Sequence, residues 1–137
     1  MRIIDHVISG HSGGGSGRSH DVFDPNSGEV QARVNLGTSA DLDAAVAAAQ
    51  KVQPEWAATN PQRRARVMFE FKRLVEANKQ ELAELLASEH GKVVDDAHGD
   101  VQRGLEVIEY ACGIPQALKG EYTQGAGPGI DVYSMRQ

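Results

Sequence analysis

The stretch that most limits what this chain can fold into is Gly99–Pro115, GDVQRGLEVIEYACGIP. Wound into a helix, it places Val101, Leu105, Ile108 and Cys112 at i, i+4, i+7 and i+11, the spacing of one buried stripe. About half a turn away, Arg103, Val107, Tyr110 and Ile114 repeat that spacing and make a second stripe. Only Gln102, Glu106 and Glu109 form a narrow polar edge between the two. A helix with two apolar faces is expected to be covered on both sides, inside a larger body. A guanidinium on one of those faces then needs an anionic partner.

The segments before it give this helix its neighbours. HVISG (His6–Gly10) reads as a short strand running into the glycine-serine stretch HSGGGSGRSH, which serves as a linker or a loose hairpin connection. Val22 and Phe23 precede Asp24-Pro25-Asn26-Ser27-Gly28, a run dense in turn formers. Val30–Leu36 alternates strictly, with Val30, Ala32, Val34 and Leu36 on one face and Gln31, Arg33 and Asn35 toward water. A small sheet with one wet face is expected. Thr38 or Ser39 then caps an alanine-rich helix with Asp41 and Asp43 in its first turn, and Pro54 should end it, with Trp56 packing just beyond. Asn60-Pro61 reads as the cap and first residue of a second helix, whose Val67, Phe71, Leu74 and Val75 line one face. Asn78-Lys79-Gln80-Glu81 has the form of a capping box, so a break near Asn78 and a third helix to about Glu89 follow, stopped by Gly91. After Lys119-Gly120, the glycine-proline middle of EYTQGAGPGIDVYSMRQ cannot be helical. Ile130–Met135 is β-prone, with Ile130 and Val132 facing one way, Asp131 and Tyr133 the other, and no visible partner strand.

Totals remove several classes of function. The 137 residues suffice for one domain with a core, and a formal net charge of −5 without a basic stripe argues against nucleic acid as a partner. No apolar run nears the ~20 residues of a membrane span and no signal-peptide core opens the chain, which points to the cytoplasm. A single cysteine excludes an intrachain disulfide, and five scattered histidines without a paired carboxylate give no metal site.

No complete catalytic constellation is present. Cys112 lies on the first apolar stripe and reads as a small core residue. Gly13-Gly14-Gly15 and Gly125–Gly129 lack the strand-to-helix context of a phosphate loop and read as plain loops. Glu89-His90-Gly91-Lys92 is explained by a helix end, and Arg63, Arg64, Arg66 and Arg73 by a solvated helix face. Arg103 is the exception, with two readings that spacing leaves open: a structural ion pair, or a clamp for a substrate carboxylate, for which a planar two-pronged donor is well suited.

The ordered segments resemble the N-terminal portion of the aldehyde dehydrogenase superfamily, from VISG through VFDPNSGEVQARV and EWAATNPQRRARVMFEFKRLVEANKQELAELLASEHGK to the last residue. Within it, RRARVMFEFK, EHGKVVDDAHGDVQRGLEVIEYACGIP and LKGEY are most similar to the coenzyme A-acylating methylmalonate-semialdehyde dehydrogenases, Asp100 standing where that group commonly has glutamate. The resemblance implies an α/β fold in three parts. Residues 1–37 would be a β arm with a small antiparallel segment, 38–120 a bundle of four helices, and 121–137 a bridging strand of an incomplete NAD-binding domain. It implies oxidation of malonate or methylmalonate semialdehyde with NAD, through a cysteine thioester passed to coenzyme A with loss of carbon dioxide. Arg103 matches an arginine that helps hold the substrate carboxylate. The nucleophilic cysteine, the general-base glutamate and the NAD contacts are expected after a Pro-Phe-Asn motif beyond Gln137. Cys112 does not align with that nucleophile, and this chain alone is expected to hold no cofactor and to turn nothing over. Homo-oligomers, tetramers for the full enzyme, would form through Glu121–Gln137. Alternatives are a hydrolytic aldehyde dehydrogenase and an inactive module that associates with full-length subunits.

Overall fold

A computed structural model describes every residue except Ser16 and Gln137. The expectations that include those two positions, in the glycine-serine stretch and at the end of the terminal strand, lie there outside the described residues. The chain is a mixed α/β structure that divides into two compact units interleaved in sequence. Unit one takes Met1–Thr59 and Lys79–Val101; unit two takes Asn60–Asn78 and Gln102–Gln137.

Unit one begins with strands β1 (Arg2–Ile4), β2 (Val7–Ile8), β3 (His11–Ser12), β4 (Ser19–Phe23) and β5 (Val30–Asn35). The strictly alternating run forms β5, the centre of a three-stranded sheet in the order β1-β5-β4. β4 pairs with it antiparallel from Ser19↔Asn35 to Val22↔Ala32, and β1 pairs parallel from Arg2↔Ala32 to Ile4↔Val34. One pair in the expected antiparallel segment is therefore parallel, because β1, too short to stand out in the sequence, returns to the far edge of β5. Val7 and Ile8 do form a strand, but they pair with His11 and Ser12 across a two-residue turn, not across the glycine-serine stretch. Both turn residues have positive φ, Ser9 at 54° and Gly10 at 78°, the combination that suits a tight hairpin. The Asp24–Gly28 turn closes as its composition requires, Gly28 N–H donating to the Asp24 carbonyl at 2.7 Å and Asn26 N–H to the Asp24 carboxylate at 2.8 Å.

The face of β5 expected to be wet is not wholly so. Ala32 is buried on one side, and on the other Gln31 Nε2 donates to the Ser88 carbonyl at 3.0 Å while Ser88 Oγ donates to Gln31 Oε1 at 3.2 Å. A polar side chain thus fastens the sheet to helix α3 (Lys79–His90), as does the Arg2–Glu89 ion pair at 2.6 Å. Helix α1 (Ser39–Ala58) starts at Thr38 in a full capping box with Asp41. It does not end at Pro54, which lies inside it. A proline removes one donor, and here the last turn recovers support when Thr59 N–H donates to the carbonyls of Glu55 and Trp56 and Thr59 Oγ1 to that of Glu55. Trp56 accordingly sits on the helix, half exposed.

Helix α3 ends as read, at a Gly91 with φ 85°, where an added Cβ would stand 2.8 Å from Pro25 Cγ. Helix α4 (Val94–Cys112) begins five residues before the expected Gly99, with Asp95 and Asp96 complementing the dipole of its first turn. Ala83 and Ala87 of α3 pack on Ala97 of α4, with Leu86, Val94 and Val101 around them. Methyl-sized side chains let the two backbones come close, and Ala83 and Ala97 are fully excluded from water.

Unit two holds α2 (Pro61–Ala77), the Gln102–Cys112 part of α4, α5 (Ile114–Ala117), β6 (Tyr122–Gly127) and β7 (Ile130–Tyr133). Asn60 caps α2 ahead of Pro61. The break at Asn78 is present, but its side chain does not cap the following helix: Nδ2 donates back to the Leu74 carbonyl at 2.7 Å and finishes α2. Ala65, Leu105 and Cys112 are buried here, whereas Val67, Phe71 and Leu74 remain about half exposed, so that stripe of α2 is not a core face within these residues. α5 makes a fifth helix where four were expected. β7 carries Ile130 and Val132 as read, and it has a partner after all: it pairs antiparallel with β6, Tyr122↔Tyr133 and Gly127↔Ile130. The glycines of 125–129 concealed β6 in the sequence, since glycine is depleted in strands.

Candidate functional site

Arg103 lies in the first turn of the unit-two part of α4, on an exposed face. The helix buries only one of its two apolar stripes: Leu105 is 3% and Cys112 7% exposed, while Val107 is 68% and Tyr110 76% exposed. The expectation of cover on both sides is met on one side within these residues. Beside Arg103, Gly104 contributes no side chain, and a Cβ there would meet nothing within 4 Å. A guanidinium on an apolar, accessible helix face has the chemistry to receive a carboxylate in a two-pronged hydrogen bond.

The other candidates resolve into structural roles. Cys112 is buried on the core stripe, where a thiol is inert. Within Glu89–Lys92, Glu89 pairs with Arg2, and Lys92 pairs with Asp96 at 2.6 Å and with Asp100. Those two carboxylates, Asp100 first, hold the Lys92 ammonium above its usual pKa. Its position directly after Gly91 makes the triad a brace for the entry into α4. Of the α2 arginines, Arg73 forms a two-pronged pair with Glu70 at 2.6 and 2.9 Å, which raises its pKa and lowers that of Glu70. Arg63 and Arg66 project from an exposed face. Among the described residues no group of three histidine, cysteine or acidic side chains is placed to hold a metal ion, and no helix is long and apolar enough to cross a membrane.

A dinucleotide site requires a glycine turn between a strand and a helix. Gly13–Gly15 instead joins β3 to β4, and Gly125–Gly129 belongs to the β6–β7 hairpin. Neither glycine stretch therefore forms such a turn. A cleft of about 290 Å³ near the start of α1 is lined by His6, Ile8, Thr38, Asp41 and Leu42. Its one carboxylate, Asp41, serves the helix cap and accepts from Thr38 N–H and Oγ1 at 2.7 Å each. The Thr38 hydroxyl is the main reason its pKa lies below the usual aspartate value.

One polar network escaped the reading of the sequence. Asp131 of β7 accepts from Tyr122 Oη at 2.7 Å and from Gly125 N–H at 2.8 Å. A signal was available: Asp131 is the only charged residue in Tyr122–Tyr133.

The aldehyde dehydrogenase family model matches residues 13–137. A malonate-semialdehyde dehydrogenase from Pseudomonas aeruginosa is 42% identical over 98% of the chain, and the mitochondrial acylating methylmalonate-semialdehyde dehydrogenase of Arabidopsis thaliana is 42% identical over 85%. Among solved structures, a protein from Sinorhizobium meliloti 1021 assigned as a methylmalonate-semialdehyde dehydrogenase, in complex with NAD, is 56% identical over the whole chain at a TM-score of 0.91. The methylmalonate-semialdehyde dehydrogenase of Oceanimonas doudoroffii is 44% identical over 98% of it, also at 0.91. The chain spans 27% and 19% of the two sequence relatives and 28% of each structure. Resemblance over almost every described element, and not a single motif, is what places it: the chain belongs to the aldehyde dehydrogenase family.

Proposed function

We propose that this chain is the N-terminal portion of an NAD-dependent, coenzyme A-acylating dehydrogenase. That enzyme converts methylmalonate or malonate semialdehyde to propionyl- or acetyl-coenzyme A with loss of carbon dioxide. The similarity to semialdehyde dehydrogenases supports the substrate class. The observation that carries the reading within the chain is Arg103, held on an accessible apolar face of α4 beside Gly104. A substrate that bears a carboxylate as well as an aldehyde requires a cationic partner, and a neutral aldehyde does not.

On this reading Arg103 binds and orients the carboxylate, while NAD and coenzyme A are held by other parts of the enzyme. The chain by itself performs no aldehyde oxidation. Residues 1–37 act as a β arm, 38–120 as the helical part and 121–137 as the contact through which subunits join. A hydrolytic aldehyde dehydrogenase would share the fold, and only one acting on neutral aldehydes has no need of a carboxylate clamp.

Arg103→Leu, made in an enzyme that carries this segment, tests the reading. A single lost charge-assisted pair of hydrogen bonds corresponds to roughly 1.5–3 kcal/mol, or about 10- to 150-fold in kcat/KM for a carboxylated semialdehyde. Activity on propionaldehyde should change by less than threefold. Equal losses on both substrates would make Arg103 structural. NADH formation from aldehyde by the pure 137-residue chain would overturn the proposal that it is inactive alone.

A further inference from the structure

The glycine-rich stretch after β3 has the composition of a linker, yet its first residues are fastened at both ends. Gly13 N–H donates to the His6 carbonyl at 3.0 Å, and Gly15 N–H donates to the Asp41 carboxylate. Between these bonds the backbone lies against the His6 ring. A Cβ added at Gly14 would stand 3.7 Å from His6 Cδ2 and 3.5 Å from Asp41 Oδ1, and one at Gly15 would stand 4.0 Å from His6 Nε2. Gly37, next to the α1 cap, approaches the same ring, a Cβ there lying 3.4 Å from Cε1 and Nε2. Gly13, Gly14 and Gly15 have φ of 141°, 91° and 109°, a path that glycine follows without strain. The imidazole is thereby enclosed. Its Nε2 is shut off from water and has no hydrogen-bond partner among the described residues.

We propose that Gly13–Gly15 is a strap closed over the His6 ring and caught by Asp41, and that it opens and closes together with the first turn of α1. The coupling lies in the catch. The carboxylate that receives Gly15 N–H also accepts from Thr38 N–H and Oγ1 at 2.7 Å each, so one side chain fastens the strap and caps the helix. Moving that carboxylate breaks both sets of bonds at once. The readiness to open lies in the ring beneath. A buried nitrogen without a partner has lost its hydration and gained no replacement, so the closed strap carries a cost that water relieves when the strap lifts. The shape of the ring, and not its free nitrogen, is therefore what supports the strap. Lifting the strap bares His6 Nε2 in the wall of the cleft of about 290 Å³ that His6 shares with Ile8, Thr38 and Leu42.

Amide hydrogen exchange in the full chain reads the strap at Gly15 and the cap at Thr38. His6→Ala empties the place of the ring and should speed exchange at both by about fivefold. The Gly28 amide, bonded to the Asp24 carbonyl at 2.7 Å elsewhere in unit one, should not change and shows that the fold is kept. His6→Phe fills the same place without a ring nitrogen, and neither amide should exchange faster than in wild type. Gly14→Ala serves if His6→Ala unfolds the chain. Its Cβ has room but its φ of 91° is strained, so strap and cap should both loosen, whereas Gly17→Ala, at φ 76° with nothing within 4 Å, should loosen neither. Unchanged exchange at Gly15 in His6→Ala overturns the strap, and faster exchange at Gly15 alone overturns its coupling to the helix. Loosening in His6→Phe overturns support by shape. Equal loosening by Gly17→Ala and Gly14→Ala overturns the assignment of the strap to Gly13–Gly15.

Discussion

The seam between α3 and the first turns of α4 and the β6–β7 hairpin keep their shapes by opposite means. The seam is dry and almost featureless chemically: three alanines in contact, two of them with no exposed surface. The hairpin is wet throughout and chemically specific, its irregular middle bridged by one carboxylate. The first tolerates no change of volume, because close-packed methyl groups leave nowhere for an added carbon. The second tolerates changes of volume and is sensitive to loss of a single acceptor. Stability and shape are thus stored in different places, and substitutions should separate them.

The largest effect belongs to the seam. Ala97→Leu should destabilise unit one by about 1–3 kcal/mol in urea unfolding. Val132→Ser on the exposed hairpin should stay within ~0.5 kcal/mol. If both cost the same, the hairpin has a packed face and the contrast fails. An intermediate effect is expected at the start of α1, where polar groups do for a helix what they do for the hairpin. Thr38→Ala should cost about 1 kcal/mol at neutral pH, since it removes the cap. Because the Asp41 pKa is lowered in the folded chain, its contribution is complete above the ordinary aspartate range and is lost as pH falls through the folded value. The difference between Thr38→Ala and wild type in urea titrations should therefore shrink between pH 5 and pH 3. A constant difference would mean that Asp41 takes no part in the cap. The smallest effect is at the β2–β3 turn. Asparagine accepts positive φ more readily than serine, so Ser9→Asn should raise the unfolding free energy slightly, by roughly 0.3 kcal/mol. A decrease would show that the turn is not of the type that its dihedral angles indicate.

What could be read from the sequence divides along the same line. Periodic segments with strong punctuation were legible: β5 from its alternation, α2 from Asn60-Pro61, the break at Asn78, the end of α3 at Gly91, and the buried stripe of Leu105 and Cys112. Elements that depend on a partner strand were not. β1 is three residues that become a strand only beside β5, and β6 is one-third glycine and exists through β7 and Asp131. The end of α1 was misplaced because a proline one turn from a terminus can be compensated by the Thr59 cap, which spacing does not reveal. For the site, periodicity put Arg103 on the second face of α4 and left its role open; only resemblance connected it to a carboxylate. The Arg63 and Arg66 face reads as solvated in both sequence and structure.

The interleaving of the two units has a consequence for the order in which the chain can acquire its structure. Unit one is made from two stretches separated by the nineteen residues Asn60–Asn78, and its fastenings span long intervals, Arg2 to Glu89 and Gln31 to Ser88. During synthesis the β arm therefore emerges long before the helix that anchors it, and it waits with open edges until α3 arrives. Long-range closures of this kind slow folding and leave unpaired strands exposed to neighbours in the meantime. For this segment, the period of greatest vulnerability to misassociation falls while its first strands exist and their anchor is still being made.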